Sequence, residues 1–535
     1  MTNRVSYDKH RTGGGFQMSI NLITFFDKGV EIDPDRACLI GEEETRSYRQ
    51  AQQMSCRIAH ALVRDGITPT SHVAVLSHNT TRAFECVLGL VRAGCAWVPI
   101  NARNTLDETA YILNMADTDA LFFAAEFAAT VRELQRRCPR LKEIICIDAH
   151  ASGHASSLDA WLAGVPDAFI AVEVPGDSIA TLSSTGGTTG KPKGVVATHR
   201  VWAYRIAETL LRVRIDHPVN LVAAPMTHAA GAGALELMVM GATHVILPRF
   251  DPELVVNAIG ERGVTHLFLP PTAIYRLLAY PGVRRGNYTS LRYFTYAAAP
   301  MSLVRLKEAM EVFGPVMCQG YGGTELGTSA CWSPPEEHAK ALASGDDTRL
   351  ASCGYPSPLA RIEIVDDAGQ VLPQGEAGEI VVRSYSNADG YYNNEQETRH
   401  SFVDGWFHTG DLGLKDAAGR VHITDRKKDM IKSGGFNVYP SEIEQVLTMH
   451  TSVQDCAVVG VPHADWGEAV KAVVELKPGM QATEAELEQL CRARLAGYKI
   501  PKSFEFWREI PRSPVGKVLK REIRARYWQA AGKQI

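Results

Sequence analysis

The sequence predicts an α/β protein with a large, multi-layer N-terminal domain, which includes a β-rich subdomain, and a small α+β C-terminal domain. The first observation is that short β-type runs alternate with helical patterns, as in HVAVL at 72–76, a helical pattern at 82–92 and AWVPI at 96–100. This spacing is typical of parallel strands joined by helices. The second is a change to shorter β-type runs after residue 360. The third is a compact pattern of helices and strands after residue 425.

The same alternation continues through the N-terminal domain, which we expect to span residues 1–425. Further strands are predicted at 120–124, 143–147, 222–224, 243–247, 266–269 and 293–296. The segment SPPEEHAKALASGDD at 333–347 has the composition of an exposed loop. A β-rich subdomain is predicted at about 355–425, because IEIV at 362–365 and EIVVR at 379–383 are separated by turn residues.

The C-terminal domain is predicted to span residues 426–535. Ser441 with Glu444, and Thr483 with Glu486, have the spacing of capping boxes that open helices. Strands are predicted at 456–461 and 470–476, between those two helices. The run DRKKD at 425–429 is the predicted domain boundary.

Composition excludes several classes of protein. The 535 residues are 45% hydrophobic and 22% charged, as in soluble globular proteins. The net charge of −4 provides no global field for nucleic acid, so we expect no nucleic-acid partner. The 11 cysteines include no CxxC pair and no zinc-ligand spacing, so they are expected to be mostly reduced and buried.

We expect no integral membrane segment and a cytoplasmic location. The first fifteen residues contain charges and glycines where a signal peptide has an apolar core. The most apolar region, 221–247, is interrupted by polar residues and so does not form a membrane span of about 20 apolar residues.

The segment SSTGGTTGKPKG at 183–194 has the chemistry of a phosphate-binding loop. Glycines let main-chain N–H groups converge on an anion, threonine hydroxyls add donors, and lysine adds charge. A Walker P-loop is excluded, because Thr185 and Pro192 stand where that motif needs Gly and Ser or Thr.

This loop resembles the signature loop of the adenylate-forming enzymes: acyl-CoA synthetases, luciferases and peptide-synthetase adenylation domains. It departs at Gly186, where serine is commoner. The resemblance extends over nearly the whole chain, since further family motifs follow in order: PMTH at 225–228, AAAP at 297–300, QGYGGTE at 319–325, GWFHTGD at 405–411, DRKKD at 425–429, GGFNVYPSEIE at 434–444 and PRSPVGK at 511–517.

The resemblance implies an ATP-dependent carboxylate:CoA ligase with ATP, Mg²⁺ and coenzyme A as cofactors. Such enzymes convert a carboxylic acid and ATP to an acyl-adenylate and pyrophosphate, then transfer the acyl group to a thiol. The phosphate contacts are implied for Thr185, Gly186, Gly187, Thr188, Thr189, Gly190, Lys193 and Thr324. Glu325, with Thr185, is implied to hold Mg²⁺.

The adenosine contacts are also carried over from the family motifs. Asp411 is expected to bind the ribose hydroxyls with help from Arg426; without the resemblance, Asp411 could equally be a turn former. The adenine is expected to lie along Ala298, Ala299, Pro300, Gln319, Gly320 and Tyr321.

The C-terminal domain is implied to be mobile, with a hinge near Lys428. Lys517 is expected to bridge the attacking carboxylate and the α-phosphate in the first half-reaction. After a domain rotation, the loop at Gly434 and Gly435 would replace it beside the thiol, although two glycines also suit an ordinary turn. Weaker implied contacts are Lys432 and Asn437 with the adenylate, and Arg249 with a phosphate of coenzyme A.

The acid pocket is implied to involve His228, Ala229, Gly233, Ala297, Gly322 and Gly323. Small side chains at 229–234 leave volume for a bulky, aryl or medium- to long-chain acid, or they allow close helix packing; both interpretations stay open. Alternatives to a CoA ligase are an enzyme that loads a carrier-protein phosphopantetheine, a luciferase-type oxygenase, and a non-catalytic nucleotide-binding homologue. A monomer or a homodimer is expected.

Overall fold

The computed structural model describes residues 20–42, 44–148, 156–170, 172–185, 192–463, 465–513 and 516–530. Within these residues, alternating strands and helices form two large sheets, followed by a smaller sheet and a separate C-terminal sheet.

The first segment supplies most of an eight-stranded sheet. Its order is β19-β9-β8-β4-β3-β5-β6-β7, where β3, β4, β5 and β6 pair in parallel and β9 is antiparallel to β8. The elements up to residue 198 are α1 (Ile23–Ile32), β1 (Ala37–Ile40), β2 (Thr45–Ser47), α2 (Tyr48–Arg64), β3 (His72–Ser77), α3 (Thr81–Arg92), β4 (Ala96–Asn101), α4 (Leu106–Met115), β5 (Ala120–Phe123), α5 (Ala128–Arg137), β6 (Glu143–Cys146), β7 (Ser156–Ser157), α6 (Leu158–Trp161), β8 (Ile179–Ser184) and β9 (Gly194–Thr198).

The next segment forms a nine-stranded sheet in the order β16-β15-β14-β13-β12-β10-β11-β1-β2. Strands β1 and β10 to β14 pair in parallel, so their carboxyl ends meet at one edge. The elements are α7 (His199–Arg212), β10 (Val219–Val222), α8 (Ala229–Leu237), β11 (Thr243–Ile246), α9 (Pro252–Arg262), β12 (His266–Leu269), α10 (Pro271–Leu278), β13 (Tyr293–Tyr296), α11 (Leu303–Phe313), β14 (Met317–Gly323), β15 (Gly327–Ser333), α12 (Pro335–Ser344), α13 (Asp347–Leu350) and β16 (Tyr355–Pro356).

A smaller antiparallel sheet follows, in the order β17-β18-β21-β20 with β22 paired to β21, while β19 joins the eight-stranded sheet through β9. Its elements are β17 (Ala360–Val365), β18 (Gly378–Ser384), β19 (Gly390–Tyr391), α14 (Glu395–Ser401), β20 (Phe402–Val403), β21 (Trp406–Lys415) and β22 (Val421–Arg426).

The C-terminal domain is a mixed sheet in the order β24-β23-β26-β25, with β27 parallel to β26. Its elements are β23 (Ile431–Ser433), β24 (Phe436–Val438), α15 (Pro440–Leu447), β25 (Val453–His463), β26 (Gly467–Leu476), α16 (Glu484–Arg492), β27 (Ser503–Trp507) and α17 (Lys520–Ala530). It has its own apolar core, which includes Ile443, Val458 and Leu487.

The two large sheets are joined by one hydrophobic core. Helix α3 is buried on every face, and its residues share a cluster with Val73 and Trp97 of one sheet and Leu39 and Leu221 of the other. The apolar character of α3 therefore suits a middle layer with no face to solvent. This arrangement confirms the predicted multi-layer α/β domain with a β-rich subdomain and a small α+β domain.

Two local predictions are wrong. Ser441 does not form a capping box, because its N–H donates to Asp425 Oδ2 at 2.8 Å and its hydroxyl donates to the Thr424 carbonyl. The segment 333–347 is largely helix α12 rather than a loop, with Pro335 in its first turn and His338 buried. The capping box of Thr483 with Glu486 is confirmed.

Among the described residues, none of the helices has the length and apolar character that a membrane crossing requires.

Candidate active site

The predicted site residues gather at the carboxyl edge of the nine-stranded sheet, where open α/β sheets usually bind ligands. Residues 297–300 directly follow β13, and residues 324–326 form the tight turn between β14 and β15. His228 precedes the first residue of α8, after the loop that leaves β10. Asn101 reaches the same place from the carboxyl end of β4 in the other large sheet.

Asp411 is held by two side chains at the domain boundary. The Tyr321 hydroxyl donates to Oδ2 at 2.9 Å, and Arg426 Nε lies 3.3 Å from Oδ1. Register pairing of Asp411 with Arg426 across β21 and β22 places these two side chains together. Burial raises the pKa of Asp411, while the charge of Arg426 opposes that shift. The carboxylate is therefore oriented by fixed partners, as ribose binding requires.

Glu325 is linked to the phosphate loop through Tyr391. The Tyr391 hydroxyl donates to Glu325 Oε1 at 2.9 Å, and Lys193 Nζ lies 5.0 Å from the centre of the Tyr391 ring. Lys193 forms an ion pair with Glu397 of α14. The expected metal-binding carboxylate and the expected phosphate-binding lysine thus flank one aromatic ring.

The base of the glycine-rich loop is closed by main-chain contacts. Thr185 N–H donates to the Lys193 carbonyl at 2.9 Å, and Lys193 N–H donates to Thr185 Oγ1 at 3.1 Å. This contact brings together the two ends of the segment that the sequence predicts to bind phosphate. The predicted residues Gly186, Gly187, Thr188, Thr189 and Gly190 lie outside the described residues.

Lys517 lies at the end of a tight C-terminal loop. Ser513 N–H donates to the Lys517 carbonyl at 2.8 Å, and Lys517 N–H donates to Ser513 Oγ at 3.2 Å. Gly516 has a φ of +84°, and a Cβ there would lie 2.9 Å from Thr272 Oγ1 of the N-terminal domain. Glycine therefore permits both the turn and the close approach of the two domains.

The C-terminal loop brings the Lys517 ammonium into a charged cleft. Burial and the charge of Arg426 lower the pKa of Lys517, whereas Asp411 and Glu325 favour its charged form. The charge of Lys517 in turn acts on His228. Residues nearly three hundred positions apart in the sequence therefore lie within electrostatic range of one another.

His228 lines this cleft. His228 is exposed to solvent, and partial desolvation of its ring lowers its pKa to about 4, with a further contribution from the charge of Lys517. Its Nε2 lies 3.0 Å from Asn101 Nδ2. The ring is therefore neutral near pH 7 and has a fixed polar partner.

The glycines of the predicted acid pocket differ in their surroundings. A Cβ on Gly231 would lie 1.7 Å from the Met226 carbonyl oxygen, so this position is closely packed. A Cβ on Gly233 would meet nothing within 4 Å. Close packing thus explains Gly231, and open space beside α8 is found at Gly233. Ala229 is half-buried at the start of the same helix.

The predicted adenine-binding segment contains a strained residue. Ala298 has a φ of +73°, a conformation that non-glycine residues rarely adopt and that is concentrated at functional sites. Ala297 and Ala299 are half-buried, Pro300 is exposed, and Gln319 is fixed from the next strand by the Tyr296 hydroxyl at 3.1 Å. Gly320 is buried, whereas Gly322 and Gly323 lead into the turn that carries Thr324.

Four predicted residues lie on a different part of the C-terminal domain. Gly434 and Gly435 form the turn of the β23–β24 hairpin with φ of +57° and +85°, and Lys432 and Asn437 are exposed beside them. The Gly434 N–H donates to the Trp466 carbonyl of the same domain at 3.1 Å. The structure therefore presents Lys517, and not this hairpin, to Asp411.

Two other predicted residues, Arg249 and Lys428, lie apart from the charged groups around Lys517 or beside them. Arg249 is exposed in the loop after β11. Lys428 lies in the turn after β22, where burial and the charge of Arg426 lower its pKa to about 8.

The sequence analysis missed four residues that hold the site. Tyr391, Asn101 and Glu397 contact predicted residues as described above. Arg205, buried in α7, donates to the Thr324 carbonyl at 3.3 Å and to the Ser386 carbonyl at 3.2 Å. The sequence holds a signal for Arg205 alone, because it is a charged residue among the apolar and aromatic residues at 201–207.

Comparison with known proteins identifies the family. The model of the AMP-binding enzyme family matches residues 26–392, and the model of its C-terminal domain matches residues 442–517. The fatty acid–[acyl-carrier-protein] ligase ScoC of Streptomyces coeruleorubidus is 34% identical over 511 residues, which are 94% of this chain and 96% of that protein.

Two further similar proteins support the same family assignment. The medium/long-chain-fatty-acid–CoA ligase FadD8 of Mycobacterium tuberculosis is 34% identical over 482 residues, covering 86% of this chain and 82% of FadD8. The crystal structure of ATP-bound MatB from Rhodopseudomonas palustris superposes with a TM-score of 0.86 at 29% identity, covering 95% of this chain and 99% of MatB. The chain therefore belongs to the AMP-binding, adenylate-forming enzyme family, as an AMP-forming acid–thiol ligase.

Proposed function

We propose that this protein joins a bulky, aryl or medium- to long-chain carboxylic acid to coenzyme A in two steps, with ATP as the energy source. The observation that carries the proposal is that Lys517 of the C-terminal domain interacts electrostatically with Asp411, Glu325 and His228 of the N-terminal domain. A half-buried ammonium near these groups suits a reaction in which two anions, a carboxylate and a triphosphate, must approach each other.

In the first step, an oxygen of the acid attacks the α-phosphorus of ATP, the bond to the β-phosphate oxygen breaks, and pyrophosphate leaves. Lys517 contacts both anions and stabilises the charge that builds on the α-phosphate. Asp411 accepts hydrogen bonds from the ribose hydroxyls, and its orientation is fixed by Tyr321 and Arg426. Lys193, beside Thr185, contacts the β- and γ-phosphates.

The residues around Glu325 fit a magnesium ion. Tyr391 occupies Oε1 of Glu325, which leaves Oε2 for a cation. Among the described residues, no group of three or more His, Cys, Asp or Glu side chains could hold a metal ion. That agrees with Mg²⁺, which is often held by one carboxylate together with substrate phosphates. When bound, the ion neutralises phosphate charge; Thr185 contributes a hydroxyl at the same end of the loop.

In the second step, the thiol of coenzyme A attacks the acyl carbonyl and AMP leaves, while the thiol proton passes to solvent. The face of the C-terminal domain beside Gly434 and Gly435 suits the nucleotide of coenzyme A. It exposes Phe436, stacked on Tyr498 at 4.8 Å, and Trp466, with Lys502 above the Trp466 ring at 5.4 Å. Exposed aromatic rings and lysines are the chemistry that binds bases and phosphates.

The pocket next to His228 supports a large acid. No side chain fills the space at Gly233, so acetate would leave apolar surface uncovered at about 0.8 kcal/mol for each CH₂ not buried. The relatives themselves act on different acceptors, since ScoC is named for an acyl-carrier protein and FadD8 for CoA. We assign coenzyme A to this chain because the aromatic and basic face described above suits a nucleotide.

The test is a two-stage assay with the full chain. Pyrophosphate exchange into ATP, measured without coenzyme A across short-chain, aryl and ring-bearing acids, detects the first step and ranks the acids. Adding either coenzyme A or a holo carrier protein and measuring thioester then identifies the acceptor. If none of the acids supports pyrophosphate exchange, the proposal is contradicted. If thioester forms only on the carrier protein, the acceptor is the carrier protein and not coenzyme A.

Replacement of Trp466 by Ala provides a further check on the acceptor. It should raise the KM for coenzyme A while pyrophosphate exchange stays unchanged, because Trp466 does not lie with the Lys517 cluster. Phe506→Ala, at another exposed ring of the same domain, is the matched control.

A further inference from the structure

The strands β4 and β10 lie in different sheets, yet one polar contact joins the carboxyl end of β4 to the end of the loop that follows β10. Asn101 is buried at the last position of β4, and its Nδ2 lies 3.0 Å from Nε2 of His228. The two residues are 127 positions apart in the sequence. No family motif in the sequence analysis includes Asn101.

The hydrogen bonds of Asn101 settle which end of its amide faces His228. Arg103 N–H donates to Asn101 Oδ1 at 2.9 Å, so this oxygen points away from the imidazole toward the main chain. The NH₂ group therefore faces Nε2 of His228. An amide NH₂ can only donate, so Nε2 must carry the lone pair and the ring proton must sit on Nδ1.

The surroundings of the ring favour this neutral form. His228 caps the N-terminus of α8, whose peptide dipoles disfavour an added positive charge, and the first turn of α8 contains no acidic residue. The charged group that acts on the ring is Lys517, which is also positive. Among the described residues, none accepts a hydrogen bond from Nδ1, and the ring is open to the cleft.

We propose that Asn101 is a positioning residue that holds His228 as the neutral imidazole protonated on Nδ1 and so presents one N–H donor to the carboxyl or acyl oxygen of the substrate. The role of the donor rests on the proposed function, whereas the position of the proton does not. Because Nε2 accepts the hydrogen bond from Asn101, a 180° flip of the His228 ring would break that hydrogen bond. Lys517 then supplies the positive charge, and His228 supplies a directed neutral hydrogen bond.

The direct test is nitrogen NMR of the full chain labelled with ¹⁵N-histidine, in which the His228 signals are assigned by their loss in His228→Gln. The wild-type ring should show a protonated, pyrrole-type Nδ1 and an unprotonated, pyridine-type Nε2 at pH 7. A protonated Nε2 in the wild-type protein would overturn the proposal. Because this readout needs no substrate, it is independent of the assignment of the reaction.

Asn101→Asp is the informative variant, since a carboxylate can only accept a hydrogen bond, which favours a protonated Nε2 and also stabilises the imidazolium. We expect protonation of Nε2, a fall of about tenfold or more in the rate of pyrophosphate exchange, and little change in the KM for ATP. Unchanged His228 signals in a folded Asn101→Asp protein would overturn the proposal. Wild-type exchange in an Asn101→Asp protein whose Nε2 is protonated would overturn the proposed donor role of His228, while the position of the proton in the wild type would stand.

The matched control is Asn79→Asp. Asn79 is also buried, accepts from Met226 N–H at 2.8 Å and donates to the Ala224 carbonyl at 2.9 Å, so it supports the same loop without a contact to His228. This control should lower the melting temperature and leave the His228 signals of the wild type. If it shifts them as Asn101→Asp does, loop disruption and not tautomer control explains the result, and the proposal falls.

Discussion

The Tyr321 hydroxyl donates to Asp411 at 2.9 Å, which links the strand that carries the proposed adenine-binding motif to the strand that carries the proposed ribose-binding carboxylate. A hydrogen bond to a charged group is worth about 1.5 to 3 kcal/mol. We therefore expect Tyr321→Phe to raise the KM for ATP about tenfold in pyrophosphate exchange, because Asp411 loses one of the two partners that orient it.

Tyr288→Phe is the control for this prediction. Its hydroxyl donates to the Val283 carbonyl, in a partly buried position outside the cleft. The control should lower the melting temperature and leave the KM for ATP unchanged. An unchanged KM in a folded Tyr321→Phe protein would show that Tyr321 does not orient Asp411 for ATP.

Sequence patterns predicted elements best where local preference and burial agree. The strands β12 and β13 have the predicted bounds, because each is a short apolar and aromatic run between turns. The capping box of Thr483 needs partners only three residues away and is formed. The capping box of Ser441 is not formed because the helix begins one residue earlier, at Pro440, and the Ser441 N–H donates to Asp425, sixteen residues earlier.

The contacts that fix the site could not be predicted from the sequence, because their partners are also far apart along the chain. Tyr391 and Glu325 are 66 residues apart, and the strands between them belong partly to the nine-stranded sheet and partly to the smaller antiparallel sheet. The resemblance supplied the groups that are expected to contact substrate, because those lie in short motifs. It could not supply Tyr391, Asn101 or Arg205, whose importance comes only from where the fold places them.

Lys517→Ala should damage the first half-reaction far more than the second. The charges of Asp411 and Glu325 favour the ammonium form of Lys517, and in the proposed mechanism this charge is needed only while the α-phosphate is attacked. By analogy with removal of one oxyanion donor, pyrophosphate exchange should fall about 10²- to 10³-fold. Thioester formation from supplied acyl-adenylate should be nearly preserved. Arg521→Ala, which removes an exposed charge from the same domain, should change neither rate; equal losses in both half-reactions for Lys517→Ala would contradict the two-role model.

Lys428→Pro should impair thioester formation more than adenylation. Lys428 lies in the turn between β22 and β23, and proline there fixes φ and removes an N–H, which restricts rotation of the C-terminal domain. Single-turnover measurement of each step separates the two effects. Ala417→Pro, in the exposed turn between β21 and β22, is the matched proline control and should leave both steps unchanged. Wild-type turnover with coenzyme A in Lys428→Pro would show that this turn is not the hinge.

Glu397→Gln should lower the KM for ATP. Glu397 forms an ion pair with Lys193, whose hydrogen bond lowers the pKa of this carboxyl, so the triphosphate must displace the pair to reach the lysine. Both side chains are 31% exposed, and such pairs contribute about 0.2 to 1 kcal/mol, so we expect a decrease of up to about fivefold.

Glu395→Gln removes an exposed carboxylate from the same helix and should leave the KM for ATP unchanged. A higher KM in Glu397→Gln would instead mean that Glu397 orients Lys193 for ATP.

Gly233→Leu should shift substrate preference toward smaller acids without unfolding the protein. A Cβ at Gly233 meets nothing within 4 Å, so the leucine side chain enters open space beside α8. Leucine also has a higher helix propensity than glycine, which favours retention of the helix. We expect kcat/KM for a bulky acid to fall about tenfold or more relative to a short acid, since an occupied pocket no longer buries the larger substrate.

Gly231→Ala tests the packing interpretation at the neighbouring glycine. A single methyl group there would overlap the Met226 carbonyl oxygen at 1.7 Å, so the loop before His228 must move, at a cost of about 1 to 3 kcal/mol. This variant should lower the melting temperature and leave the ratio of kcat/KM between bulky and short acids unchanged. If Gly233→Leu stays folded with the wild-type ratio, the space beside α8 does not receive the acid, and the inference from these small side chains to a bulky substrate is wrong.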